Sequence, residues 1–256
     1  MRIGIRVAIS ALVLASIIVS AAGVHLLWWR TAERTSRALA DTINQQIVSA
    51  VGDELQALTS EARSANTALR TLFQGNVFDL HDTERRRFAF LSQLQSQPTI
   101  SWVAFAWPDG SFAAVHKLGD DAVETMEITG GAPRLSIVQY DVDDIALKMT
   151  GRHTEDTAYK VTAQSWFREA LGADGGRWFN PAIFPGGPRH AVSFSGPIDV
   201  GGQRLGVLSI GIELTRVSRF LSQLTIGKSA GAFILDRDGS AIAAPDPDAD
   251  ELHPMK

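Results

Sequence analysis

The chain has 256 residues, 45% of them hydrophobic and 20% charged, with a formal net charge of -4 and no cysteine. That length allows a membrane anchor and one or two small domains, each burying its own core. Scattered Lys and Arg near charge balance exclude the footprint of a nucleic-acid binder, and the lack of cysteine excludes disulfide scaffolds, Cys-ligated zinc and thiol catalysis.

Ile3 to Trp29 is an almost unbroken apolar stretch, long enough to span a bilayer. Arg2 and Arg6 precede it and Trp28 and Trp29 close it, which predicts a cytoplasmic N-terminus; Arg30, Arg34 and Arg37 work against that orientation. The small residues Ser20 to Gly23 allow a cleaved secretory signal instead. The apolar run continues through Val24, Leu26, Leu27 and the Trp pair, beyond a signal core of about 7–15 residues, and favours an uncleaved anchor. Either reading sends the remainder across the membrane. The expected location is the bacterial inner membrane, with residues 1–29 as cytoplasmic N-terminus and span and the rest in the periplasm or outside.

Residues 30–75 are predicted as a stalk helix, because Leu39, Ile43, Ile47, Ala50, Leu55, Leu58, Ala62, Ala65, Leu69 and Leu72 recur at helical steps. That stripe has two candidate partners, the chain's own sheet and a parallel copy in a homodimer. A second helix is expected over Thr83 to Gln97, with Phe88, Leu91 and Leu94 on one face and Pro98 ending it.

Strands are predicted at Ile100–Trp107 and Ser111–His116 around the turn Pro108-Asp109-Gly110, then at Glu124–Thr129, Leu135–Tyr140, His190–Ser195 and Leu205–Leu214. A short helix, Ala163 to Leu171, interrupts them, and Val217 to Leu224 reads as a closing helix. Helices first and an antiparallel sheet after them indicate an α+β, PAS-like domain over residues 76–226. Ala232–Leu235 and Ser240–Ala244 form one more hairpin, and a hairpin alone buries no core. Residues 227–256 are therefore read as the opening of a second, incomplete module.

The six histidines are far apart in sequence, and no phosphate-cradling loop precedes a helix. No catalytic, metal or cofactor constellation is predicted, and a hydrolase lacks a nameable nucleophile and base. Asp236 to Gly239 reads as a plain hairpin turn, since the later ligands of a calcium loop are out of register. Asp246, Asp248, Asp250 and Glu251 read as a solvated loop. Tyr159, Trp166, Phe167, Trp178, Phe179 and Phe184 crowd together with Gln164, which suits either a small-molecule pocket or an ordinary core.

The stalk, the segment Tyr159-x4-Gln164-x-Trp166-Phe167, Ser195-Gly196-Pro197 and the strand Gly206 to Leu214 together resemble the double Cache extracellular sensor domain of bacterial receptors. Ala232 to Gly239 resembles the first hairpin of its membrane-proximal module. The resemblance implies ligand sensing outside the membrane by Tyr159, Gln164, Trp166, Phe167, Trp178 and Glu213. In amino-acid-binding members an Arg takes the ligand carboxylate and an Asp its ammonium; here Gln164 stands at the Arg place and Glu213 at the Asp place. The bidentate grip on a carboxylate is lost, so an amine or neutral polar ligand is expected over an α-amino acid. The resemblance also implies a missing cytoplasmic output. A class III nucleotide cyclase is the first choice, with a histidine kinase, diguanylate cyclase or chemoreceptor module as alternatives. A stand-alone solute-binding protein is the rival reading, separated by whether the reading frame continues past Lys256.

Overall fold

The structure is a computed structural model that describes residues 5–75, 77, 79–119, 121–130, 133–143, 146–185, 190–223, 233–235, 239 and 241–243; for 5–12, 146, 180–182, 190, 216, 220, 223 and 241–242 it describes the backbone alone. The chain divides into two compact units, Met1–Gly52 and Asp53–Lys256.

Helix α1 (Ile5–Gln74) contributes to both units. In the first unit its apolar side chains, among them Leu14, Ile17, Val24, Trp28 and Trp29, are exposed, and the helix is long and apolar enough to cross a membrane. A helix satisfies its own backbone polar groups, as a lipid environment requires. Leu39 and Ile43 are exposed as well.

In the second unit the stripe of α1 turns inward, and Leu58, Ala62, Ala65, Leu69 and Phe73 are buried. Helix α2 (Thr83–Ser96) starts where the Asp82 carboxylate accepts from the Arg85 backbone N–H at 3.1 Å. Its inward face differs from the expected one. Phe88 is exposed, whereas Arg86, Phe90, Leu91 and Leu94 are buried. Phe90 meets Phe73 of α1 edge to face, and Arg86 turns in to Glu127, so two partners rather than one apolar stripe set the rotation of α2.

The sheet has eight strands: β1 (Trp102–Ala106), β2 (Phe112–Lys117), β3 (Ala122–Ile128), β4 (Arg134–Asp143), β5 (Ala146–Asp156), β6 (Arg177–Ile183), β7 (His190–Val200) and β8 (Gln203–Glu213). Their spatial order is β5-β4-β3-β2-β1-β8-β7-β6, and every neighbouring pair is antiparallel. Strands β5 and β6 are additions to the predicted set. Both are edge strands, whose wetted faces weaken the apolar alternation that marks a strand in sequence. The β7–β8 hairpin turns on Gly201 and Gly202, both at positive φ (59° and 80°), the backbone a two-residue hairpin loop requires.

Successive strand residues point to opposite faces. Val103, Phe105, Val115, Leu208 and Ile210 face α1 and α2. Trp102, Ala104, Phe112, Met126, Ile137 and Val207 face a 3-10 turn (Val161–Ala163) and helix α3 (Ser165–Leu171), with which they form one buried cluster. Helix α4 (Leu214–Gln223) follows β8, and a two-stranded ribbon pairs β9 (Ile234–Leu235) with β10 (Ala241–Ala243). The rest of the expected second module, within residues 227–256, lies outside the described residues.

Candidate functional site

Registration across the sheet lines up one transverse row on the α3 side: Glu124, His116, Trp102, Gly211, Ser193 and Phe179, one residue each from β3, β2, β1, β8, β7 and β6. A row of inward strand positions is ordinarily apolar; this one ends in a buried acid and a buried imidazole. His116 is 1% exposed. Its Nδ1 lies 2.8 Å from Glu124 Oε1 and its Nε2 lies 2.7 Å from Oε1 of Glu213, which ends β8. Two hydrogen bonds from one imidazole to two carboxyl groups need two protons shared among the three groups, held as an imidazolium or as a neutral ring with one carboxylic acid.

Aromatic rings continue from the imidazole. Trp102 stacks on His116 with ring centroids 3.9 Å apart, Phe184 stacks on Trp102 at 4.8 Å, and Trp166 of α3 lies 5.6 Å from Phe184. Gly211 makes room for this stack, since a Cβ there would sit 3.1 Å from Phe184 and 3.1 Å from the Trp102 Cβ. The indole N–H of Trp102 is buried without a partner, and that of Trp166, outside strict hydrogen-bond geometry, lies beside the Tyr159 hydroxyl. Beneath α3 the hydroxyls of Ser193, Ser195 and Ser209 are bonded to one another at 3.2 and 2.8 Å and are fully buried.

Of the six residues expected to line a ligand site, Trp166 and Phe167 are buried on this face with Glu213 at its rim. Tyr159 packs edge-on against Phe112, and its hydroxyl donates to the Ile183 carbonyl at 3.0 Å. Burial pushes its phenol well above the ordinary pKa, and the Trp166 indole beside it offsets only part of that rise. Gln164 is engaged locally: its backbone carbonyl accepts from Phe167 and Arg168 at the start of α3, and its Nε2 donates to the Lys160 carbonyl at 3.3 Å. Trp178 is on the other face. It pairs in register with Phe194, and the two rings lie 5.4 Å apart on the α1 side, so strand parity separates it from the other five.

Trp102, His116 and Glu124 were not singled out from sequence. The available signal was parity: in Phe112-Ala-Ala-Val-His116, His116 falls on the inward side with Phe112 and Ala114, where a polar residue is out of pattern. Among the described residues no group of three or more His, Asp and Glu side chains is placed to hold a metal ion.

The sensory domain of the Campylobacter jejuni chemoreceptor Tlp3 superposes with a TM-score of 0.54 at 13% identity, covering 88% of this chain and 76% of that one. The ligand-binding domain of the Pseudomonas aeruginosa chemoreceptor PctC, solved with GABA, gives 0.54 at 16% identity, over 84% and 78%. The fold is that of a Cache-type sensory domain. The ligand-binding domain of the Pseudomonas fluorescens chemoreceptor CtaA, solved with L-serine, shares this sensory fold at a TM-score of 0.50 and 15% identity, over 84% and 76%. No protein-family model matches the chain, and no curated protein matches it either. An N-terminal helix long and apolar enough to cross a membrane precedes the domain of this fold.

Proposed function

We propose that the chain senses a small solute outside the membrane and passes the signal through α1. The ligand would lie between α3 and the sheet, against Trp166, Phe167, Tyr159 and Phe184, with Glu213 as its polar anchor. One observation carries the reading: a ladder of neighbouring rings from Trp166 to His116, tilted at Trp166 and stacked from Phe184 onward, ends at the Glu213 carboxylate on one face of the sheet. Aromatic faces beside a carboxylate favour an amine, and a neutral polar solute follows in rank. The solved domains of this fold hold GABA and L-serine, so amino acids belong in the same screen. Against an α-amino acid stands Gln164, whose amide is turned to the Lys160 carbonyl.

The anchor is proposed to sit in the inner membrane with a cytoplasmic N-terminus, and the exposed Leu39 and Ile43, one turn apart on α1, support a homodimer through the stalk. For the output, a nucleotide cyclase rests on analogy alone, and the likeness to chemoreceptor domains favours a chemoreceptor module.

The test is a thermal-shift screen of the chain in detergent with n-butylamine, GABA, L-serine and n-butanol, because a ligand bound only by the folded state raises the melting temperature. Glu213→Gln and Trp166→Phe are expected to abolish the shift given by a hit. An undiminished shift in both variants refutes the site.

A further inference from the structure

Among the described residues of α1 that are buried against the sheet, Asn66 is the polar one. Leu58, Ala62, Ala65, Leu69 and Phe73 around it are apolar. Asn66 is 0% exposed, and its Nδ2 donates to the Leu208 carbonyl at 3.0 Å and to the Phe194 carbonyl at 3.3 Å, one on β8 and one on the adjacent β7. Carbonyls only accept, which fixes the orientation of the amide. Its Oδ1 is thereby left buried without a donor. One helical turn on, Arg70 Nε is a buried donor without an acceptor. Residues four apart on a helix are neighbours on one face, so each orphan is the chemical complement of the other.

The same stretch of helix grips β7 on both sides of the amide. The Arg63 guanidinium lies 5.5 Å over the Phe194 ring, and Arg70 Nη1 would stand 3.6 Å from a Cβ on Gly196. The opposite face of β7 and β8 carries Ser193, Ser195, Ser209 and Gly211 under α3. One sheet thickness therefore separates the proposed ligand floor from the helix that leads to the membrane.

We infer that Asn66 is the positioning residue that couples β7 and β8 to α1, and that α1 has a second arrangement in which the Asn66 amide leaves the Phe194 and Leu208 carbonyls and turns its Oδ1 to accept from Arg70 Nε. The coupling half rests on the proposed ligand site; the second arrangement does not. A buried polar contact with two discrete pairings is a bistable element, and a ligand with unequal affinity for its two states shifts their populations.

The experiment is hydrogen-exchange mass spectrometry on the full chain in lipid nanodiscs. Without ligand, Arg70→Met is expected to change exchange over residues 58–73 several-fold in the wild-type background and to add nothing on top of Asn66→Leu. Additive effects overturn the second arrangement. With n-butylamine or GABA as probe, the wild type is expected to alter exchange over the same residues. Asn66→Leu is expected to keep the probe affinity and lose that response, which a merely structural residue would not do. A response retained in Asn66→Leu, or absent from the probe-bound wild type, overturns the coupling. Asn66→Ala, which removes both the donor and the acceptor without adding bulk, replaces Asn66→Leu if that variant fails to fold. If Trp166→Phe binds the probe as the wild type does, the ligand site is misplaced, and the ligand-free comparison still decides the second arrangement.

Discussion

Gly211→Ala tests the ring ladder where it is tightest. A Cβ at this position would lie 3.1 Å from the Phe184 ring and 3.1 Å from the Trp102 Cβ, closer than ordinary van der Waals contact, while Trp102 is fully buried. The strand fixes Trp102, so Phe184 must yield. Overpacking of this kind costs about 1–3 kcal/mol. Gly→Ala at a compatible backbone offsets about 0.4–1 kcal/mol by restricting the unfolded chain, leaving a net loss centred on about 1.3 kcal/mol. For a domain of this size each kcal/mol moves the melting temperature by about 2–4 °C, so a fall of roughly 3–5 °C is expected. Gly175→Ala is the control, since a Cβ there meets nothing within 4 Å. Gly206→Ala is the upper marker, because its Cβ would fall 2.1 Å from the Ala106 carbonyl oxygen, a backbone atom of β1 with no room to move. Thermal unfolding of the three variants in detergent, followed by circular dichroism, should rank them Gly175, Gly211, Gly206 in increasing loss. A Gly211→Ala protein melting at or above Gly175→Ala would show that Phe184 does not rest on Trp102.

Arg86→Met is expected to cost about 1–3 kcal/mol in chemical denaturation, because it leaves the Leu80 carbonyl and Glu127 without their donor and strips the cation from the Trp107 face. Arg86→Lys should recover less than half of that, since an ammonium cannot reproduce a planar group stacked on an indole while bonded to two acceptors. Tyr159 has a raised pKa in the fold, so the stability it contributes is complete below the unfolded value of about 10 and is lost as pH rises beyond it. The melting temperature of the wild type should therefore fall more steeply between about pH 9.5 and 11.5 than that of Tyr159→Phe. Asp199 runs the other way: its hydrogen bond from Arg204 lowers its pKa, so its contribution is present above about pH 4 and lost as pH falls through the folded value. Asp199→Asn should melt with a shallower acid slope below about pH 4, and by a small margin, because the pair is solvent-exposed.

The elements easiest to read were those whose partner lies in the same stretch of chain. The apolar run before Trp29 is recognisable because its length and composition meet the requirement a bilayer span sets on every residue, and the Pro108-Asp109-Gly110 turn because Gly110 has a positive φ of 88° that few residues adopt. The helical period along α1 gave the stripe from Leu58 to Leu69 but not its partner, since an apolar face carries no address, and Phe73 rather than the expected Leu72 is the buried residue at its end. Phe88 was misassigned for the same reason: the rotation of α2 answers to Phe73 and Glu127, which lie outside its own sequence.

The candidate site divides along the same line. Sequence by itself determined the residue types, namely a membrane-length apolar helix, an α+β order of elements, and an aromatic cluster with Trp166 and Glu213. Only the tertiary structure decided which of them meet. Registration of six strands brings Glu124, His116, Trp102 and Gly211 into one row, and the parity of β6 turns Trp178 away while leaving Phe179 inside. The physical reason is that composition and period are local, whereas a strand's face depends on its register with neighbours distant in the chain. A slip of one residue would exchange every inward side chain for an outward one.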